Sequence, residues 1–144
     1  MVRKSSGLAI GWVSNQIRCE NIWGFQSRMG IDVYSRETDR AFTVINIYGP
    51  YQDRLPFWER LFNKTWWNNP GLIVGGDLNF SLGEAEIWGD NAQVDDLSDF
   101  LRQSLARVEV TDIPPPKLFP TWRNRRTRGS YIAKRLDKIL IADP

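Results

Sequence analysis

Ala41-Phe-Thr-Val-Ile-Asn-Ile-Tyr48, stopped by Gly49-Pro50, is the segment on which the reading of the fold turns. Its apolar residues Phe42, Val44, Ile45 and Ile47 crowd both faces, as in a central strand covered on two sides, and Gly-Pro does not continue a ladder. Downstream, Leu72-Ile-Val-Gly-Gly-Asp77 predicts a second buried strand, whose glycines let other groups approach the backbone closely. Between the two, Leu55, Trp58, Leu61 and Phe62 recur at helical spacing. They predict a helix over 53–66, with Asp53 as N-cap, Pro56 tolerated in the first turn and Asn68-Asn-Pro-Gly71 as its end. Leu97, Phe100, Leu101, Leu105 and Val108 predict another over 95–108, capped by Asp95 or Asp96.

Upstream, 7–13 and 30–34 are short, β-branched or aromatic and bounded by polar residues, which predicts strands, with a turn over 36–40. Pro114, Pro115 and Pro116 force an extended connection, after which 119–123 and 131–142 are expected as strands of a hairpin with 125–129 as its loop. Strands in this order suit an α/β (α+β) layered sandwich with mixed, mostly antiparallel sheets better than a doubly wound parallel sheet.

The 144 residues amount to one domain, and 42% hydrophobic with 25% charged residues is ordinary for a globular chain. No apolar run approaches the roughly 20 residues that span a bilayer, and Met1-Val-Arg-Lys-Ser-Ser leads to no small-residue cleavage site, so no membrane partner and an intracellular setting, nuclear or cytoplasmic, are expected. The single Cys19 is expected to be packed and inert, and the Asn-x-Ser/Thr matches at Asn63 and Asn79 read as coincidences. Nothing in the sequence speaks to oligomeric state. There is no histidine, which removes His-ligated zinc, Ser-His-Asp triads and His general bases together. Arg123, Arg125, Arg126, Arg128, Lys134, Arg135 and Lys138 face a single acid, Asp137, making this stretch net +6 in a chain of net +2. Such a strip suits a phosphate backbone or is a solvated basic loop.

Gly75-Gly-Asp-Leu-Asn79 puts a carboxylate and a carboxamide two apart just after a buried strand, on one face if the backbone stays extended. The amide can orient a water while the carboxylate deprotonates it or binds a hard cation. The competing reading is an Asx turn in which Asp77 and Asn79 bond backbone amides. Likewise Tyr48 suits a half-buried packing aromatic, and Asp137 suits a surface ion pair with Arg135 or Arg123. Helical spacing makes Trp58 core and Trp66-Trp67 packing, in preference to a base-stacking platform.

The ordered set Asn46-Ile-Tyr-Gly-Pro50, Gly76-Asp-Leu-Asn79, Phe119-Pro-Thr-Trp122 and Arg135-Leu-Asp-Lys-Ile-Leu140 resembles the endonuclease/exonuclease/phosphatase superfamily, deoxyribonuclease-I-like, and looks closest to endonuclease domains of plant non-long-terminal-repeat retrotransposons. The resemblance runs from Gly7 to Leu140. It implies a partial four-layer α/β sandwich, a Mg²⁺ (or Mn²⁺) cofactor and DNA as partner. It also implies roles: Tyr48 contacting the scissile phosphate, Asp77 holding the metal or activating the attacking water, Asn79 orienting that water, and Asp137 as the acid that positions a catalytic histidine. Asn46, Thr121, Trp122, Arg123, Arg125 and Arg126 complete the set as substrate-binding candidates. The family's metal-binding glutamate, an asparagine strand before it and a closing Ser-Asp-His motif have no counterpart here, so 1–144 is expected to be a single partial domain with impaired activity. The alternatives that stay open are a catalytically dead nucleic-acid-binding remnant and a phosphatase acting on small phosphoesters.

Overall fold

In the computed structural model the described residues are 7–143, which leaves the opening stretch 1–6 outside them. Three strands, β1 (Ile17–Phe25), β2 (Arg28–Ser35) and β3 (Arg40–Ile47), form an antiparallel meander, with the expected turn joining the last two. From β3 the chain crosses through α1 (Arg54–Phe62) and a 3-10 turn (Thr65–Asn68) to β4 (Leu72–Asp77), which pairs parallel to β3. Then come β5 (Ile87–Gly89), α2 (Ser98–Arg107), β6 (Val110–Asp112), β7 (Trp122–Arg123), β8 (Ile132–Lys134) and β9 (Asp137–Ala142). Two sheets result, one of six strands in the order β1-β2-β3-β4-β9-β6 and one of three in the order β5-β8-β7. This is a mixed, mostly antiparallel α/β sandwich, as the order of elements predicts.

Alternation sends Ile45, Ile47, Leu72, Val74 and Leu140 to one face of the large sheet, where they meet Trp58, Leu61, Phe62, Leu101 and Leu105 from the helices in one core cluster. Each fully buried Leu, Ile or Phe there contributes about 1.5–3 kcal/mol. Trp58 is core, as its spacing implies, and the 3-10 turn packs Trp67 against Phe62 while its indole N–H donates to Leu61 O at 2.8 Å, satisfying a carbonyl at the end of α1.

Several expectations are corrected. Residues 7–13 form no strand, since no ladder partner among the described residues pairs with them; Ala9 O accepts the Asn46 side-chain amide at 3.1 Å. One edge strand is β1, whose polar, mostly exposed residues hide it from a search for periodicity. Cys19 is half-buried there, beside an irregularity in the β1–β2 ladder. Helix α1 stops at Phe62, Leu55 stays exposed, and Asp53 sits in the left-handed region without a capping bond. Asp95 does not cap α2 either: its carboxylate accepts from Leu97 N (2.9 Å), Arg54 Nη2 (2.6 Å) and Ser81 N (3.3 Å), tying three segments together. Finally, 131–142 is two strands. The chain kinks at Arg135-Leu136 and passes from the small sheet into the large one.

Candidate active site

Parallel pairing of β3 with β4 brings the loop after Ile47 beside Asp77, and antiparallel pairing of β4 with β9 makes Asp77 and Asp137 register partners. Asn46 pairs with Gly75, so Asn46, Asp77 and Asp137 share the face opposite the helices. The loops at this end are laced through their backbones. Gly49 N donates to Asp77 O at 2.7 Å, Leu78 N to Leu136 O at 2.9 Å, and Tyr48 N to Ser27 O at 2.9 Å. Space is so short that an added Cβ at Gly49 would overlap Leu78 O, and one at Gly76 (φ +127) would overlap Ile47 O and crowd Asn46 Oδ1. Gly76→Ala combines that clash with a backbone conformation L-residues avoid; a loss of at least ~3 kcal/mol is expected, read as a lowered urea midpoint.

Asp77 Oδ1 accepts Asn79 N at 3.0 Å, so the Asx turn is present. Asn79 has φ 52, and the extended geometry assumed over 77–79 does not hold. Its side chain is 7% exposed, and its amide donates to Gly49 O, which leaves Oδ1 as the acceptor not committed to the loop. Asn79 lines a cavity of about 240 Å³ together with Tyr51, Trp122, Lys134 and Leu136.

Burial pushes the Asp77 carboxyl above its ordinary value and the charge of Asp137 adds to that, while the Asn79 amide opposes both. Among the described residues no Lys or Arg lies within 4.0 Å of either acid. The alternative pairing of Asp137 with Arg135 or Arg123 is therefore absent. Tyr48 is 38% exposed, and Tyr51, for which the sequence gives no pattern, hydrogen-bonds to it; that bond, with burial and the charge of Asp77, raises the Tyr51 phenol. Thr121 Oγ1 accepts from Leu136 N (3.0 Å) and Asp137 N (3.1 Å), fixing the corner that presents Asp137 and leaving its own proton to donate. Arg123 and Arg125 line an open groove with Thr121 and Trp122, and Arg126 is exposed on the loop beyond.

The basic strip is smaller than its composition suggests. Arg135 and Lys138 are buried, at 3% and 3% exposure, in a quartet with Glu86 and Asp112. Arg135 Nη1 donates to Glu86 Oε1 at 2.5 Å and to Asp112 Oδ2 at 2.6 Å, and Lys138 Nζ donates to both Glu86 oxygens at 2.6 and 2.7 Å. The quartet flanks Asp137 on both sides in sequence and braces the β8–β9 kink.

Among the described residues no group of three or more His, Cys, Asp or Glu side chains is placed to hold a metal. What the site offers is two adjacent carboxylates without a cationic partner, one of them disfavoured as an anion. That donor set fits a hard dication of the Mg²⁺ kind, which takes one or two carboxylates and keeps several waters.

No family description and no curated protein matches the sequence. Solved structures do resemble it. The endonuclease domain of TRAS1, a telomere-specific non-LTR retrotransposon, aligns at TM-score 0.62 with 16% identity, over 85% of this chain and 55% of that one. AP endonuclease LMAP from Leishmania major aligns at 0.57 with 16% identity, over 88% and 52%. D. rerio TDP2, complexed with a single-strand DNA product, aligns at 0.56 with 14% identity, over 90% and 55%. The chain thus spans about half the length of each. These neighbours are members of the endonuclease/exonuclease/phosphatase (DNase I-like) fold, and at such identities the likeness is one of fold. Among the described residues no helix is long and apolar enough to cross a membrane.

Proposed function

We propose that the chain carries the hydrolytic face of a divalent-metal-dependent phosphodiesterase of the endonuclease kind, derived from a retrotransposon, with nucleic acid as its substrate and DNA the first to test. One observation carries this reading: Asp77 and Asp137 are ladder partners with, among the described residues, no Lys or Arg within 4.0 Å, at strand ends beside the loops that hold Asn79 and Tyr48. The motif resemblance to retrotransposon endonucleases and the fold shared with the TRAS1 domain support the substrate and the lineage.

In this mechanism Asp77 accepts the proton of the attacking water. Asn79 Oδ1 orients that water. Tyr48 donates to a non-bridging phosphate oxygen without competing for a cation. Thr121 sets Asp137 beside Asp77 through the two amides it accepts. Mg²⁺ or Mn²⁺ held by Asp77 and Asp137 would neutralise phosphate charge and lower the pKa of water. Since the chain has no histidine, nothing here takes the role of the family's histidine, and turnover is expected at trace level.

Two measurements test this. Mn²⁺ titration followed by the free-ion electron paramagnetic resonance signal should show binding to the wild type that disappears in the Asp77→Asn/Asp137→Asn double variant. Nicking of supercoiled plasmid should require the metal and stop with a chelator. Chelator-resistant nicking, or Mn²⁺ binding indifferent to both substitutions, overturns the proposal.

A second reading, duplex binding without catalysis, is favoured by one observation: Arg123, Arg125, Arg126 and Arg128 are exposed, and among the described residues none has a carboxylate within 4.0 Å. It predicts duplex affinity that survives Asp77→Ala, is lost on reversing Arg125 and Arg126 to Glu, and falls with salt at a log–log slope near −0.9 per phosphate contact. Salt-insensitive binding counts against it.

A further inference from the structure

The tip of the β1–β2 hairpin carries an aromatic and cationic stack that the hydrolytic reading does not use. Trp23 covers Gly30, its register partner, where an added Cβ would overlap the indole. Its ring stacks on Trp66 at 5.4 Å and 13°. The guanidinium of Arg28 lies over Trp66 at 5.5 Å and over Phe25 at 4.6 Å, and Phe25 meets Trp23 at 6.2 Å and 60°, so the four groups close into one cluster. Phe25 is the exposed member of the cluster, at 64%. Arg28 has no carboxylate within 4.0 Å among the described residues, and its buried Nε has no hydrogen-bond partner.

A packing role alone accounts poorly for this arrangement. An arginine whose methylenes merely cover apolar surface sends its head to water or to an acid. Here the planar head is clamped between rings, which removes the rotamer entropy that an anion would otherwise have to overcome. Burial lowers the Arg28 pKa from its ordinary value without discharging the group at neutral pH. Beside it Phe25, 64% exposed, offers aromatic surface on which an unpaired base can stack.

The position gives the stack a partner. Ser27 O, at the tip, accepts the backbone N–H of Tyr48, so the stack is bonded to the loop that holds the candidate phosphate contact. In the sheet order β2 is two strands from β4, about 10 Å along the sheet, and Arg28, Ile47 and Gly76 stand level at the end where Asp77 lies; the stack is on the helix side and the acids on the other, so a strand reaching both passes over that end of the sheet. Resting on the nucleic-acid reading above, we propose that this hairpin tip anchors an unpaired stretch of the substrate strand, Arg28 engaging a backbone phosphate and Phe25 stacking a base next to it.

The test is metal-free binding of fluorescein-labelled single-stranded and blunt duplex oligonucleotides by the full chain, read by anisotropy with chelator present. Phe25→Ala should weaken single-strand binding about tenfold and duplex binding by less than about twofold, because paired bases cannot stack on the ring. Phe25→Trp should bind at least as well as wild type. Arg28→Lys, which keeps the charge and loses the planar head, should weaken both. Ile22→Ala, an exposed apolar residue of the same strand on the opposite face, should change nothing. Since Phe25 is largely exposed, its variants should melt as wild type does, which separates a lost contact from a lost fold. Single-strand affinity unchanged by Phe25→Ala, equal losses on both ligands, or no single-strand binding by the wild type overturns the anchor. Hydrolysis failing while the Phe25 effect persists would speak against the catalytic assignment and leave the anchor standing.

Discussion

Replacing Asp77 with Asn abolishes metal-dependent nicking, a fall of about 10²-fold or more, while raising thermal stability at neutral pH. The loss follows because an amide neither accepts the water's proton nor neutralises a dication, and groups in such roles are each worth about two or more powers of ten. The gain follows from linkage. The folded protein holds the Asp77 carboxyl above its unfolded value, through burial first and the Asp137 charge after it. Native molecules therefore bind more protons than unfolded ones in that window, and the favourable contribution present below the unfolded carboxylate pKa is lost as pH rises through the folded one. The amide escapes this penalty and still offers an oxygen to Asn79 N. Melting curves of both proteins between pH 3 and 7 should converge at the acid end and separate toward neutrality. A variant that melts lower than wild type at pH 7, or nicks as well, refutes the placement of Asp77 as a buried catalytic carboxylate beside Asp137.

Glu86→Ala is expected to cost about 3–5 kcal/mol, the typical penalty when one partner is removed from a buried ionic group. It would leave Arg135 facing Asp112 alone and strip Lys138 of its two short bonds. Burial already pulls the Lys138 ammonium below its ordinary value, with Glu86 opposing that pull. Without Glu86 the charged form becomes costlier still, so the deficit should shrink as pH climbs toward the lysine range, where the group is neutral folded or unfolded. Glu86→Leu with Lys138→Met removes both charges and should recover most of the loss. Urea melts of the single and double variants decide the matter: equal stabilities for Glu86→Ala and wild type would mean that the quartet does not brace the kink before Asp137.

Much of the architecture is legible because its central strands carry apolar side chains on both faces, one buried and the other half-buried. Phe42 through Ile47 and Leu72 through Val74 have no other way to satisfy their apolar side chains, so spacing identifies them. β1 escaped notice since its residues owe their conformation to the hydrogen-bonded partner strand and not to burial. β5 and β6, of three residues each, are too short for any period to show. The Asp77-Asn79 pair is visible from its spelling, but that spelling fits a turn and a cleft equally, and the chain forms the turn with one amide oxygen to spare. Counting charge misjudged the tail, because a tally cannot distinguish Arg125 in water from Lys138 sealed against Glu86. Tyr51 was invisible for a different reason: its partner Tyr48 lies across Gly49-Pro50, and only the bend there brings the two hydroxyls together.

Gly49 and Gly76 act together as a gauge of alignment. If β4 slid so that Asp77 took the place of Gly76, a side chain would be driven into the carbonyl of Ile47, and a slide the other way would turn Leu72 and Val74 out of the core. The location of the acid is thus set by main-chain atoms that no neighbouring side chain can negotiate with. Residues around the cleft are consequently free to drift toward new ligands while the carboxylate keeps its coordinates.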